Sequence, residues 1–299
     1  MKGLIFSNNV TDSYEAQRLI LEFKKRNIRV YYINPSNIDI FVNREDRKSI
    51  LVNNEFASLP DFVIPRLGSS MNYYQKSVIR HLEKMGVLII NGSESIENAK
   101  DKLYSMQILA QQNIPVPKTL LAKDPVNIEY IKRRIGFPVV VKTLSGTHGK
   151  GVYLAKDETN LQQLLDMISE INPRMNLIIQ EFVSAQAGTD IRVFVVGGKV
   201  VGAMKRESKD GDFRANVSRG AIPSNFEVDY DAEYLALESS KLLHLDIAGV
   251  DLLIDEEGYK ICEVNSAPGF QGLESATNIN IAQAIVNYVL HRIAVPSEK

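Results

Sequence analysis

The pattern of strands and helices changes near residue 190, and this change constrains the fold more than any other feature. Up to residue 181, short apolar stretches that predict strands alternate with stretches of helical periodicity. From residue 190 onward, IRVFVV-GG-KVVGAM predicts a hairpin that turns at Gly197-Gly198. Two later strands, at 247–254 and 259–265, predict a second hairpin through DEEG. The sequence therefore predicts an α/β (α+β) protein in which alternating units are followed by antiparallel pairs.

The predicted elements divide the 299 residues into three domains. Residues 1–95 alternate strands and helices, which predicts an N-terminal open α/β domain without the glycine-rich turn of a dinucleotide fold. The breaker IPVP at 114–117 separates a predicted helix from a further small α/β unit. We therefore expect a linker helix and a central domain over 96–185, and a C-terminal domain over 186–299.

Composition narrows the class of protein. The formal net charge of −1 gives no global basic footprint for nucleic acid. The single cysteine, Cys262, excludes a disulfide within the chain and any site built from several cysteines. It lies among apolar neighbours in a predicted strand, which is more typical of a buried packing residue than of a nucleophile. The N-terminal apolar run is too short for a signal peptide, and no run approaches the roughly 20 apolar residues of a membrane helix. We therefore expect a cytoplasmic enzyme or binding protein that has no contact with membranes.

The stretch KICEVNSAPG at 260–269 carries the most informative polar residues. Side-chain alternation along a strand predicts that Ile261, Glu263 and Asn265 share one face. An acid and an amide side by side on such a face need a partner. The partner is either water at a strand edge or a hard cation, which takes oxygen ligands from carboxylate and amide groups.

Asp251 lies in the preceding strand, twelve positions before Glu263. A hairpin that turns around Glu256-Glu257 places Asp251 opposite or nearly opposite Glu263. Three oxygen ligands suit Mg²⁺ better than Zn²⁺, and Mg²⁺ usually completes its shell with substrate phosphates. The three side chains therefore predict a nucleotide site, and solvated polar side chains are the alternative.

A glycine-rich stretch, LSGTHGKG at 144–151, follows the predicted strand FPVVVK. It matches neither the phosphate-binding P-loop nor the dinucleotide pattern, so a plain hairpin turn is the alternative. Lys142 ends the strand, where a lysine beside a mobile loop can pair with phosphates, although many such lysines only face solvent. Further on, IIQEFV ends a strand at Glu181, where backbone N–H and C=O groups next to a linker can hydrogen-bond to the edge of an adenine.

A third polar region begins at the next strand, where Asp190 and Arg192 fall on one face. Downstream, the segment MKRESKDGDFRANVSRGA concentrates basic side chains: Lys205, Arg206, Arg214 and Arg219, with Asn216 among them. Arginine forks match carboxylate and phosphate groups, whereas a solvated basic loop is the alternative. The length and small residues of this segment favour a functional loop.

Taken together, these motifs resemble the ATP-grasp superfamily, and most closely the RimK-type α-L-glutamate ligases. The stretches that carry the resemblance are PRLGSS at 65–70, DKLYSMQILAQQNIPVPKT at 101–119, VVKTLSGTHGKGV at 140–152, IIQEFV at 178–183, DIRVFVVGGKVVGAMKR at 190–206, GDFRANVSRGA, AGVDLL and CEVNSAPGFQGLE. The resemblance spans about residues 1–293. It implies a three-domain ATP-grasp fold with ATP between the central and C-terminal domains.

The resemblance also implies roles for individual residues. Phosphates of ATP would meet Lys102, Lys142 and the loop glycines Gly146, Gly149 and Gly151. Adenine would meet Glu181, Phe182 and Val183, and the ribose would meet Asp190. The catalytic side chains at the phosphoryl end would be Arg206, Arg214, Asn216 and Arg219, of which Arg214 and Asn216 would also contact ATP. Two Mg²⁺ ions, or Mn²⁺ in their place, would bind Asp251, Glu263 and Asn265.

The implied reaction adds L-glutamate to a carboxylate acceptor, a protein C-terminus of the ribosomal small-subunit protein type, through an acylphosphate. A homotetramer is implied as well, without direct contact to nucleic acid. The sequence departs from the family pattern at Ser218-Arg219-Gly220-Ala221 and at Asn265-Ser266-Ala267-Pro268-Gly269, where acceptors are handled, which leaves the acceptor open. The alternatives are a small-molecule or coenzyme ligase of the glutathione synthetase type, a nucleotide sensor without turnover and a nucleic-acid-binding protein.

Overall fold

A computed structural model describes residues 1–8, 13–43, 49–68, 71–123, 125–143, 151–172, 175–183, 185–209, 213 and 220–295. These residues form three main β-sheets, each built from one part of the chain, and one small three-stranded sheet. The mixture of helices with parallel and antiparallel sheets confirms the predicted α/β (α+β) class. Within these ranges no helix has both the length and the apolar character that a membrane span requires.

The N-terminal sheet is parallel, in the order β2-β1-β6-β7. Its strands are β1 (Lys2–Phe6), β2 (Arg29–Ile33), β6 (Phe62–Pro65) and β7 (Leu88–Ile89), with helices α1 (Tyr14–Lys24) and α2 (Tyr73–Lys84). Between β2 and β6, a 3₁₀ turn (Pro35–Asn37) leads into a small sheet that the sequence did not predict: β3 (Ile38–Ile40), β4 (Ile50–Val52) and β5 (Glu55–Phe56). Strands of two or three residues are too short for a reliable alternation signal.

The central sheet is antiparallel, in the order β10-β9-β11-β8. Its elements are β8 (Thr119–Lys123), α5 (Ile128–Arg134), β9 (Val139–Thr143), β10 (Val152–Ala155), α6 (Glu158–Ile171) and β11 (Asn176–Glu181). Two helices precede it, α3 (Ser93–Lys100) and α4 (Lys102–Gln111). Asp101 ends α3 and caps α4 by accepting from the backbone of Leu103 and Tyr104. The predicted linker helix α4 buries Met106 and Leu109 in the core of the third sheet.

The third sheet is antiparallel, in the order β14-β13-β12-β15-β16. Its elements are β12 (Thr189–Val196), β13 (Lys199–Glu207), β14 (Ile222–Asn225), α7 (Tyr230–Leu242), β15 (Ile247–Asp255) and β16 (Gly258–Asn265), followed by α8 (Gln271–Thr277) and α9 (Ile281–Ala294). Both predicted hairpins are confirmed. Gly197 and Gly198 turn the first with φ of 59° and 71°, and Asp255 pairs with Gly258 across the second turn.

A β-bulge in β16 corrects the predicted arrangement of side chains. Leu252 pairs with Ile261, but Asp251 pairs with Glu263, so Cys262 is the extra residue in its strand. Because of the bulge, Ile261 lies in the hydrophobic core and not on the face of Glu263 and Asn265. The predicted sharing of one face by Ile261, Glu263 and Asn265 was therefore wrong for Ile261, whereas the pairing of Asp251 with Glu263 is confirmed.

The two faces of the third sheet have different partners. One face buries Ile191, Val193 and Val195 under α4 and α7. The opposite face has an apolar half, with Phe194 and Val196, that joins α1, α8, α9 and the N-terminal sheet in one core. The other half of that face is polar. The candidate site lies in this polar half, directly beside the inter-domain core.

Buried polar side chains hold the N-terminal part against the third sheet. Asn91 is 1 % exposed, and its amide donates to the carbonyl oxygens of Ile247 and Ser266, both at 2.7 Å, and accepts from the Ile247 N–H at 2.9 Å. In α1, Glu22 accepts hydrogen bonds from Lys25, Arg26 and Asn280. Asn280 caps α9, so this carboxylate joins the two helices.

We expect stability to fall in acid because of Glu22. Burial raises the pKa of this carboxyl, but hydrogen bonds from Lys25, Asn280 and Arg26 outweigh burial and lower the pKa to about 2 from its ordinary 4.5. Because the folded-state pKa is depressed, its stabilisation is complete above pH 4.5 and is lost as the pH falls towards 2. Because solvent screens the charges around this carboxylate, Glu22→Gln should lower the free energy of unfolding by only about 1–2 kcal/mol at pH 7.

Urea unfolding at several pH values measures this difference, which should shrink between pH 4.5 and 2. Glu238→Gln is the matched control, because the one ion pair of Glu238 among the described residues is with Lys241, whose side chain is 74 % exposed. A difference between wild type and Glu22→Gln that stays constant over this pH range would contradict the assignment.

Candidate active site

A row of buried charges crosses the polar half of the third sheet. Asp190 on β12 pairs with Arg206 on β13, and Arg192 pairs with Asp251 on β15. Arg206 binds both oxygens of Asp190, at 2.5 and 2.6 Å, and reaches Oδ2 of Asp251 at 3.1 Å. Arg192 binds both oxygens of Asp251, each at 2.7 Å. Two guanidinium forks therefore fix the orientation of the Asp251 carboxylate.

The surroundings shift the pKa values of the two aspartates in opposite directions. Burial raises the pKa of Asp251, but Arg192 and Arg206 outweigh it and hold the pKa below its ordinary value. Burial also raises the pKa of Asp190, and here it outweighs Arg206, so the pKa rises to about 6. Asp251 accepts hydrogen bonds from two arginines and Asp190 from one, and the charge of Asp251 raises the pKa of Asp190 further, which explains the order. Of the two aspartates, Asp251 thus stays charged to the lower pH.

The side chains predicted to bind a metal meet beside this row. Glu263 lies directly opposite Asp251, and Nδ2 of Asn265 is 3.3 Å from Oδ2 of Asp251 and 3.4 Å from the carbonyl oxygen of Gly249. This orientation leaves Oδ1 of Asn265 as the atom available to a cation. Nowhere in the described ranges do three histidine, cysteine or acidic side chains gather around one point, so the site depends on two carboxylates and an amide. That oxygen-only donor set fits Mg²⁺.

Lys142 lies on β9 of the central sheet. Its Nζ donates to Oε1 of Gln180 at 2.6 Å, and Nε2 of Gln180 donates to Oγ1 of Thr119 at 2.9 Å, which fixes the direction of the ammonium group. Burial raises the pKa of the Cys262 thiol, Lys142 lowers it, and Glu263, Asp251 and Asp190 raise it. Lys142 and the three carboxylates therefore all act electrostatically on the thiol at the bulge. The raised thiol pKa supports the interpretation of Cys262 as a packing residue.

The segment that leaves β11 joins the central and third sheets. Glu181 ends β11, and its carboxylate accepts from the backbone N–H of Lys118 at 3.0 Å and from Nζ of Lys260 at 3.1 Å. The ring of Phe182 meets Phe213 edge to face, with centroids 6.0 Å apart. Val183 is buried. The three residues predicted to meet adenine thus lie at the passage between the two sheets.

The remaining predicted residues fall into two groups. Lys102 begins α4, and Gly151 precedes β10, where its carbonyl oxygen accepts from the Thr143 N–H at 3.0 Å. Gly146, Gly149, Arg214, Asn216 and Arg219 lie outside the described residues. The side chain of Arg206 is 2 % exposed, so in this structure it holds two aspartates and presents no free fork to a substrate. The individual roles in ATP binding and catalysis stay predictions.

Three residues of the site were not singled out for it from the sequence. Arg192 was recognised only as polar, although its alternation with Asp190 places it on the same face. Gln180 precedes the motif residue Glu181 and carries no signal of its own. Gly249 stands where an added Cβ would lie 2.5 Å from Cβ of Pro268, so only glycine lets the Pro-Gly turn approach β15.

Gly249→Ala should therefore displace the turn that follows Asn265. Backbone and a proline ring cannot yield as a flexible side chain can, and we expect turnover to fall about tenfold, with a loss of about 1–3 kcal/mol in stability. Steady-state turnover and thermal unfolding measure the two effects. Gly198→Ala is the control, because an added Cβ there meets nothing within 4 Å and only its φ of 71° resists the change. Turnover unchanged in Gly249→Ala would contradict the close approach.

The fold is shared with solved ATP-grasp ligases. The ATP-grasp ligase PsnB, complexed with a phosphomimetic variant of its minimal precursor, Mg and ADP, superposes with a TM-score of 0.76 at 18% identity, covering 97% of this chain and 98% of that chain. D-alanine–D-alanine ligase from Bacillus anthracis, complexed with ATP, gives 0.66 at 20% identity, covering 98% and 97%. The architecture is therefore the ATP-grasp fold.

Family models cover nearly the whole sequence. Residues 1–96 match the RimK PreATP-grasp domain, and residues 99–289 match the RimK-like ATP-grasp domain. A "Probable alpha-L-glutamate ligase" of Legionella pneumophila (strain Corby) is 39% identical over 292 residues, 97% of this chain and 95% of that protein. One of Vibrio cholerae (strain O395) is 38% identical over 290 residues, with the same coverage. The chain belongs to the RimK-like family of ATP-grasp carboxylate–amine ligases.

Proposed function

We propose that the chain joins L-glutamate to the C-terminal carboxylate of a peptide or protein, with ATP converted to ADP and phosphate. The observation that carries the proposal is that Asp251, Glu263 and Asn265 meet beside the bulge at Cys262, on whose thiol Lys142 of the central sheet acts electrostatically. A cation on one sheet and an oxygen-only metal site on another suit the binding of a polyphosphate. The names of the relatives supply glutamate as the amino acid.

The proposed chemistry has two steps. An oxygen of the acceptor carboxylate attacks the γ-phosphorus of ATP, the bond to the bridging oxygen breaks, and ADP leaves with that electron pair. The neutral amine of glutamate then attacks the acyl carbon, phosphate leaves with the electrons of the C–O bond, and the proton that the nitrogen loses passes to phosphate or water. The enzyme forms no covalent bond, so a Cys262 thiol that stays protonated is compatible with this chemistry.

The chain's own residues position the reactants. Lys142 and Lys102, with Gly146, Gly149 and Gly151, would meet phosphates. Glu181, Phe182 and Val183 would meet adenine, Asp190 the ribose, and Arg214, Asn216 and Arg219 the transferring phosphoryl group. We assign Arg206 and Arg192 to positioning Asp251. Asp251, Glu263 and Asn265 would hold two Mg²⁺ ions, replaceable by Mn²⁺, which neutralise polyphosphate charge.

Peptide complexes of enzymes with this fold support a peptide acceptor. PsnB has been solved with its precursor peptide PsnA2, and the macrocyclase MdnC from Microcystis aeruginosa with its precursor peptide MdnA. These enzymes share the fold and bind peptides, and a C-terminus of the ribosomal small-subunit protein type is our proposed acceptor here. A homotetramer that acts in the cytoplasm completes the proposal.

The test measures phosphate release from purified protein with ATP, Mg²⁺ and glutamate, with and without a ribosomal small-subunit protein. A matched peptide of its C-terminus, supplied as the free acid and as the C-terminal amide, identifies the reacting group. Phosphate release and added glutamyl mass with the free acid alone would support the proposal. If phosphate release requires a small-molecule carboxylate and does not respond to the protein, the proposed function is wrong and a ligase of the glutathione synthetase type takes its place.

A further inference from the structure

Arg66 reaches from the N-terminal sheet to the turn that follows the candidate metal ligands. It comes directly after β6, and its Nη2 donates to the carbonyl oxygen of Pro268 at 2.7 Å, although the two residues are 202 positions apart. Its guanidinium carbon lies 5.8 Å from the centre of the Phe270 ring. The arginine thus sits where the N-terminal part meets the polar half of the third sheet.

The charge of Arg66 has no carboxylate partner in the described part of the chain. Its single hydrogen bond there uses one of the five N–H donors of a guanidinium. By contrast, Arg18 on the same inter-domain surface binds Glu274 at 2.9 Å, and Arg192 binds Asp251 at 2.7 Å. Burial lowers the pKa of Arg66, and the charges of Glu15 and Tyr32 act against it. An arginine nevertheless stays protonated, and Glu15 acts on it without forming an ion pair, so within the described ranges this half-buried cation has no carboxylate at ion-pair distance.

The position of this cation is tied to the candidate active site by contacts. Pro268, which accepts from Arg66, lies against Gly249, and Gly249 pairs with Asn265. Gly249 is also two residues before Asp251 in β15. An anion held by Arg66 would therefore lie beside the strands that carry the proposed metal ligands.

A purely structural role accounts for little of this arrangement. The turn already has other ties from the N-terminal part: Glu15 accepts from the Phe270 N–H at 3.1 Å, and Asn91 donates to the Ser266 carbonyl oxygen at 2.7 Å. A neutral donor would serve the Pro268 carbonyl oxygen equally well. A planar, charged fork with four further donors suits a bidentate carboxylate.

We propose that Arg66 binds a substrate carboxylate that the reaction leaves unmodified. This inference rests on the proposed function, in which two sources offer such a group. Incoming glutamate reacts through its amine and keeps both of its carboxylates, and a peptide acceptor can carry acidic side chains besides the carboxylate that reacts. The shared chemistry is a carboxylate in a bidentate contact with the guanidinium.

The test compares Arg66→Met and Arg66→Lys with wild type in steady-state kinetics, varying ATP, glutamate and the acceptor in turn. Loss of a charge-assisted bidentate contact should raise KM for one carboxylate substrate about 10–100-fold in Arg66→Met, with Arg66→Lys between it and wild type. KM for ATP should stay within about twofold. A rise for glutamate identifies the amino acid as the source, and a rise for the acceptor identifies the peptide.

Two control variants separate recognition from support of the turn. Glu15→Ala loosens the same turn without removing the cation, and Arg18→Met removes a paired arginine from the same surface. Neither should reproduce the selective rise in KM. If Glu15→Ala gives the same rise, or if every KM of Arg66→Met equals that of wild type, the inference is overturned.

A binding measurement keeps this inference separate from the proposed function. Thermal unfolding of wild type and Arg66→Met is followed with L-glutamate, with its α-amide, with L-glutamine and with the acceptor peptide. The contact is supported if one carboxylate compound raises the Tm of wild type but not that of Arg66→Met. The rise must also be lost when that carboxylate is replaced by an amide. This holds even if glutamate is not ligated, an outcome that would refute the proposed function alone. Equal shifts in both proteins, or none in wild type, overturn the inference.

Discussion

Replacing Glu263 by glutamine should lower ATP turnover by about 10²–10³-fold and leave the fold intact. Glu263 is half-buried opposite Asp251, and among the described residues it has no ion pair whose loss would destabilise the chain. A bound divalent cation supplies several kcal/mol of charge stabilisation, and removing one of two carboxylate ligands forfeits much of it. Turnover measured against Mg²⁺ concentration should show the half-saturating concentration rising sharply.

Glu207→Gln is the matched control for this prediction. Glu207 ends β13 in the same sheet, and its 52 % exposed side chain forms its one ion pair within the described ranges with Lys205. Its turnover and its Mg²⁺ dependence should equal those of wild type. If Glu263→Gln also keeps wild-type turnover at limiting Mg²⁺, the assignment of the metal site to this pair of strands is wrong.

Replacing Arg206 by leucine should lower the free energy of unfolding by about 3–5 kcal/mol. Arg206 is the one cation that contacts both Asp190 and Asp251 in the described row. Without it, the buried Asp190 loses the guanidinium that hydrogen-bonds both of its oxygens in the described structure, and burial raises its pKa further. Urea unfolding at pH 7 measures the loss.

A second variant tests whether the loss arises from the unpaired carboxylate. Asp190→Asn combined with Arg206→Leu removes both members of the pair, and it should recover part of the stability, because no buried charge is left without a partner. Arg206→Lys keeps the charge without the fork and should fall between wild type and Arg206→Leu. A free energy of unfolding of Arg206→Leu within about 0.5 kcal/mol of the wild-type value would contradict a buried network.

The features of the fold that depend on neighbouring residues could be predicted from the sequence. Two glycines between alternating apolar runs define the first hairpin, and the DEEG turn defines the second, so both registers near the turns follow directly. A regular continuation of the second hairpin would have placed Asp251 opposite Cys262. The bulge that brings Asp251 opposite Glu263 has no local signature, and it also moves Ile261 into the core.

Contacts between distant parts of the chain could not be predicted from one sequence. PRLGSS was recognised as a motif, but the contact of Arg66 with Pro268 depends on how the N-terminal sheet packs on α8 and α9. The same holds for Asn91, whose amide completes the backbone pairing of Ile247 and Ser266. Arg192 was visible as a polar residue, yet its fork on Asp251 became evident only when β12 and β15 proved to be neighbours.

The central claim is that the chain activates a carboxylate as an acylphosphate and then joins it to an amine. The most direct measurement uses an acceptor peptide whose C-terminal carboxylate is labelled with ¹⁸O, turned over once with ATP, Mg²⁺ and glutamate. Mass spectrometry of the released phosphate reads the fate of the label. The account predicts that one ¹⁸O atom passes from the peptide to each phosphate, because the C–O bond of the acylphosphate breaks. Phosphate without the label, formed alongside ligated product, would contradict carboxylate activation by phosphoryl transfer.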